Sequence, residues 1–155
     1  MKNYIGTKFI KAEEMNYGNF SLRKYGKIND SEGGIAKEAN GYLVEYENNY
    51  ISWSPKSVFE EAYKSDCNLS FGHAIELMKK GYKVAREGWN GKSMFIYIQN
   101  SSFITKEMGR NEILKNIEGD IKINAHIDMK TADGSITIGW LASQTDMLSN
   151  DWVIV

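Results

Sequence analysis

The chain has a single cysteine, Cys67, in 155 residues, so no disulfide can form within it. That usage fits a reducing compartment. Metal chemistry is poorly supplied as well. Cys67, His73 and His126 are the only Cys and His residues, and they lack the paired spacing that zinc and its relatives need. No metal and no cofactor are expected. No apolar run approaches the ~20 residues of a membrane span, and MKNYIGTKFIKAEE lacks the apolar stretch of a signal peptide. A cytoplasmic setting, away from any membrane, is expected. Excess charge is missing too: the net charge is −1. Residues 1–66 carry nine Lys/Arg against ten Asp/Glu, and residues 67–155 carry ten of each. Without a basic field to hold a phosphate backbone, DNA and RNA are not expected partners. No GxxxxGK[ST] phosphate loop occurs. The two histidines stand in unrelated contexts, and no Ser–His–Asp or Cys–His order suggests a nucleophile and base.

What is present is a core and a clear division. Apolar residues make up 42% of the chain. The first unit spans about residues 1–65. In GYLVEYENNYISWSP, Tyr42, Val44 and Tyr46 alternate with Leu43, Glu45 and Glu47, the period of a half-buried strand. Asn48-Asn49 is a plausible hairpin turn, and Tyr50 to Trp53 is the return strand. The spacing then predicts a helix capped by Ser54 with Pro55, the only proline, at its first position. Val58, Phe59 and Ala62 form its stripe. NDSEGGIAKEAN, before the hairpin, reads as a loop.

The second unit spans 68–155. Ser70 caps a helix bearing Phe71, Ala74, Ile75 and Met78, and Gly81 ends it. Tyr82–Arg86 and Ser93–Gln99 are strands around the Asn90-Gly91 turn. Residues 100–120 read as an insertion, with Ser102 or Thr105 capping a helix that carries Met108, Ile113, Leu114 and Ile117. Ile121–Lys130 is one long strand, turned at Ala132-Asp133-Gly134 into Ser135–Leu141. SQTDML is a brief helical turn or a loop, and Asp151–Val155 a last strand. The expected fold is α+β. A mostly antiparallel sheet carries one packed N-terminal helix, and a small hairpin-and-helix module precedes it.

The blocks FGHAIELMKKG, REGWNG, MKTADG, GWLASQTDML and DW stand in the order and spacing of a known family. By these motifs, residues about 68–99 and 121–155 resemble the Thoeris anti-defence 2 proteins of phages and prophages. Segment 100–120 departs from the shortest members. GYLVEYENNYISWSP and VFEEAY resemble a small phage module to which no function attaches. The resemblance implies a sponge: a homotetramer, with pockets where subunits meet, that holds a glycocyclic ADP-ribose signal without degrading it. Some relatives also take cyclic oligonucleotides of the CBASS type.

The residues suit such a ligand. Adenine needs a flat aromatic or apolar face, and Trp89 and Trp140 are the candidates; Phe95 is expected among the ligand-binding residues as well. Core packing is the plain alternative for the tryptophans. Ribose hydroxyls need fixed neutral partners, and Asn90, Ser143, Gln144, Thr145 and Asp146 supply them. Ser143 also suits a helix cap. Arg86 can pair with pyrophosphate, or stand as a solvated charge on an edge strand. Trp152 is assigned to packing. Three rivals remain: a sponge for cyclic di- or trinucleotides, a protein-interaction module built on the first unit's hairpin, and a phosphodiesterase. The last lacks a metal set.

Overall fold

The computed structural model describes residue 2 and residues 7–28, 34–65, 67–89, 93–104 and 118–155. Contacts divide the chain into two units, Met1–Lys64 and Ser65–Val155.

The first unit holds more than a hairpin and a helix. Strands β1 (Lys11–Glu14), β2 (Gly41–Glu45) and β3 (Ile51–Pro55) form an antiparallel sheet in the order β1-β2-β3. Helix α1 (Tyr17–Tyr25) is capped by Asn16, whose side chain accepts from the Asn19 amide. It buries Tyr17 and Phe20 against Leu43 and Trp53. The β2–β3 turn passes through Asn49 at φ 61°, as the Asn-Asn pair predicts. Helix α2 (Lys56–Ala62) starts later than expected. Ser54 lies in β3 opposite Tyr42 and caps nothing, because ladder pairing continues to Gly41 and Pro55. Phe59 of α2 stacks on Tyr42 with ring centroids 4.1 Å apart.

In the second unit, α3 (Phe71–Lys79) forms where the capping serine and apolar stripe place it. Ser70 and His73 make a reciprocal capping box, which satisfies two amides at the helix start. Beneath α3 lies a five-stranded antiparallel sheet made of β4 (Val84–Arg86), β5 (Phe95–Gln99), β8 (His126–Lys130), β9 (Ile136–Thr137) and β10 (Trp152–Ile154). Its order is β10-β4-β5-β8-β9. Leu69, Ala74, Leu77, Met78, Val84, Ile96, Met129 and Trp152 close the core between helix and sheet.

Three expectations change here. The long strand 121–130 is two. β7 (Ile121–Ile123) pairs with β6 (Ser102–Ile104) in a separate ladder, and β8 starts again at His126. Ser102 is therefore a strand residue and not a helix cap, while the helix expected from Thr105 to Ile117 lies outside the described residues. Finally, β9 stops at Thr137. Gly139 takes φ 76°, and its amide donates to the Asp128 side chain at 3.2 Å, so the ladder cannot continue to Leu141. The chain rejoins β8 only through the Trp140 amide, which donates to the Ile127 carbonyl at 2.7 Å. That detour sets Trp140 at the rim of the core. The short helix α4 (Gln144–Met147) follows.

Candidate functional site

Trp152 sits at the centre of an aromatic cluster. It is fully buried. Register puts it opposite Arg86, on the same sheet face as Val84 and Ile154. Phe71, Trp89 and Trp140 surround it, with ring centroids 5.3, 5.5 and 6.4 Å away. Trp89 and Trp140 meet each other edge to face at 6.2 Å and 71°. Both remain half-buried, one flank on the core and the other toward the surface. Trp152 also donates its indole N–H to the Asp146 carbonyl at 3.1 Å, which draws α4 onto the cluster.

A charged clamp holds the same end. Arg86 donates from Nε to Asp151 Oδ1 at 2.8 Å and from Nη2 to Asp151 Oδ2 at 3.2 Å. Its Nη1 donates to Asp146 Oδ1 at 2.8 Å. The Arg86 and Asp146 side chains are each only 15% exposed, so this is not a solvated pair. Nor does Arg86 stand on an edge strand, since β4 runs between β10 and β5. Asp146 is used on every side. Its Oδ2 accepts from the Ser143 amide at 3.1 Å and the Ser143 hydroxyl at 2.6 Å. Ser143 in turn caps α4 by accepting from the Asp146 amide. Asp151 also accepts from the Ser149 hydroxyl and from the Gly88 amide. A Cβ on Gly88 would stand 2.9 Å from Asp151 Oδ2, so glycine permits that approach.

The protonation states follow. Arg86 holds the Asp151 carboxyl well below the usual carboxylate range, against the opposing effect of burial. Burial pushes Asp146 up, but bonds from Ser143 and Arg86 outweigh it, and the net direction is down. The Arg86 guanidinium is pushed up, first by Asp151 and then by Asp146. A depressed carboxyl makes the unfolded chain bind its proton at higher pH than the folded chain does. The clamp's stabilisation is therefore whole above the ordinary Asp value, about 3.9, and fades as pH falls toward the depressed values. Denaturant unfolding of the wild type between about pH 2.5 and 6 should show this loss below about pH 4. Asp151→Asn should flatten the slope.

The nine residues expected at a binding site thus separate. Trp89, Trp140, Arg86, Ser143 and Asp146 come together, with Gln144 and Thr145 exposed on α4 beside them. Asn90 lies outside the described residues. Phe95 is elsewhere. It alternates with the core residue Ile96 along β5 and faces the opposite side of the sheet. There Lys83 and Lys130 lie over its ring, at 4.9 and 5.9 Å from the centroid. A cavity of about 340 Å³ opens beside it, lined by Tyr82, Lys83, Tyr97 and Ile136 among others. In the sequence Asp151 stands only as the start of the last strand, and the β10–β4 register is what brings it to Arg86.

Other titratable groups are also engaged. His73 Nδ1 serves the α3 cap, and His126 Nδ1 bonds the Asn124 carbonyl at 2.8 Å. Asp128 is buried on the Phe95 side of the sheet, where it accepts from Tyr97. Among the described residues, no group of three or more His, Cys, Asp or Glu could hold a metal ion. No described helix is long and apolar enough to cross a membrane.

This unit has known relatives. Residues 69–155 match the Thoeris anti-defense 2-like domain. Over 90 residues the chain is 41% identical to "Thoeris anti-defense 2" of Bacillus phage SP01, an alignment covering 56% of this chain and 94% of that protein. The match takes in the cap of α3, the tryptophan cluster and the Arg86–Asp146–Asp151 clamp alike. Through its C-terminal unit, the chain belongs to the Thoeris anti-defense 2-like family.

Proposed function

We propose that this protein binds a cyclic ADP-ribose-type immune signal, glycocyclic ADP-ribose, and withholds it from the Thoeris effector without degrading it. Family membership carries the coarser statement, a phage anti-defence role against Thoeris. The observation that carries the finer one is the Trp89–Trp140 pair. Two half-buried indoles beside an exposed, hydrogen-bonding turn suit a purine and its riboses. Trp89 and Trp140 form the wall. Ser143, Gln144 and Thr145, exposed at α4, supply polar partners. Asn90 follows Trp89 directly in the chain. The carboxylates nearest the indoles, Asp146 and Asp151, are tied to Arg86 and poorly placed to move protons, which favours holding over hydrolysis.

A single unit of this size offers little to enclose a dinucleotide-sized ligand, and a pocket shared between copies supplies the missing wall. Leu141 and Leu148 flank α4 and are 89% and 80% exposed, the kind of apolar surface that a second copy would cover. A tetramer acting in the host cytoplasm is the assembly we favour.

Native mass spectrometry with glycocyclic ADP-ribose tests this reading. The expected spectrum is a tetramer whose mass rises by whole ligands. A monomer that takes none would oppose it. Competition with cyclic di- and trinucleotides separates the rival ligand class.

A further inference from the structure

We infer that Arg86 and Asp146 are positioning residues, which fix the Trp89 ring against α4 before a ligand arrives and do not themselves touch it. The inference rests on the reading of Trp89 and Trp140 as the ligand wall. Its grounds are the geometry of the clamp. Three of the five N–H donors of Arg86, one on each nitrogen, already go to carboxylates, two to Asp151 and one to Asp146. A phosphate would find only the two remaining N–H groups, on a side chain 15% exposed and already flanked by two carboxylates whose charge opposes it. Asp146 is no freer. Oδ1 is taken by Arg86 and Oδ2 by the Ser143 amide and hydroxyl.

The connectivity states what the clamp does. Trp89 follows the β4 turn, and its amide donates to the Arg86 carbonyl at 3.2 Å. Its ring meets α4 by way of Trp152, on which it packs edge to face at 5.5 Å. Trp152, between them, donates to the Asp146 carbonyl. One aspartate thus holds Arg86, whose carbonyl accepts from the Trp89 amide, the central Trp152 on which the Trp89 ring packs, and the turn that carries Ser143, Gln144 and Thr145. Without its charge partner, Asp146 would be a part-buried carboxylate seeking another donor, and Trp89 would lose its fixed orientation. A binding-competent orientation present only a fraction of the time lowers apparent affinity by that fraction.

The test uses the full chain labelled with 5-fluorotryptophan, with resonances assigned by single Trp→Phe replacements. Without ligand, Arg86→Gln and Asp146→Asn should each shift or broaden Trp89 and Trp140 and leave Trp53, in the other unit, unchanged. With ligand, both variants should weaken glycocyclic ADP-ribose and uncharged adenosine by a similar factor, about tenfold if the competent orientation falls to about a tenth. Arg86→Lys is the sharpest variant. A lysine keeps the charge for a phosphate but cannot fork onto two carboxylates, so it should bind as poorly as Arg86→Gln. Full affinity in Arg86→Lys, or a loss confined to the charged ligand, would make Arg86 a phosphate contact and overturn the inference. An unchanged fluorine spectrum in Asp146→Asn would overturn it as well. Should Arg86→Gln fail to fold, Asp146→Asn and Arg86→Lys carry the test. If wild type does not bind glycocyclic ADP-ribose, the functional reading fails, while the ligand-free spectra still decide whether the clamp orients the indoles.

Discussion

Trp152→Ala should lower the unfolding free energy of the C-terminal unit by about 4 kcal/mol, the upper range for emptying a large aromatic from a core. The ring is fully buried and touches Phe71, Trp89 and Trp140 at once. Removing it leaves a cavity that α3, held by its Ser70 cap, cannot readily fill. It also strands the Asp146 carbonyl that the indole N–H serves. Trp152→Phe restores most of the volume but not the donor, and should cost about half as much. Denaturant unfolding followed by far-ultraviolet circular dichroism reads both. A loss below about 1 kcal/mol for Trp152→Ala would mean that the cluster is not organised around this ring.

Trp140→Ala should act on binding. Stacking on one base is worth about 1–3 kcal/mol, so affinity for glycocyclic ADP-ribose should fall by about 5- to 150-fold. Stability should suffer less than in Trp152→Ala, because Trp140 is only half-buried and its backbone bond to Ile127 remains. Trp140→Phe retains a flat face and should keep most of the affinity. Titration calorimetry against the wild type measures each. Unchanged affinity in Trp140→Ala would move the pocket away from this wall, and the Phe95 cavity on the opposite face would become the place to look.

Local signals in the sequence were legible because local physics produces them. Ser70 and Ser143 cap helices through bonds that span three residues. Asn49 turns the hairpin, and Thr131–Ser135 closes where Ala-Asp-Gly predicts, with Asp133 held down to about 2 by Thr131 and Ser135. The core role of Trp152 was readable from its place before an apolar strand. Helix α1 was not, since YGNFSLRKY sends only two large side chains inward. Strand β1 is exposed at all four positions and has no alternation to betray it. It exists because β2 offers an edge to pair with.

The site was half legible for the same reason. GWLASQTDML put Trp140 beside Ser143 and Asp146 within one short stretch. The clamp joins residues 60 and 65 apart, and only the β10–β4 register reveals it. Phe95 shows a different failing. Its alternation with Ile96 already placed it on the far face from any core-side tryptophan. Aromatic character alone put it in the wrong company.

The claim that the protein holds its signal and leaves it whole is tested most directly by recovery. Protein is incubated with glycocyclic ADP-ribose, freed of unbound ligand, denatured by heat, and the released material is identified by mass spectrometry. The account predicts the intact cyclic molecule. A linear ADP-ribose or any other cleaved product would contradict it.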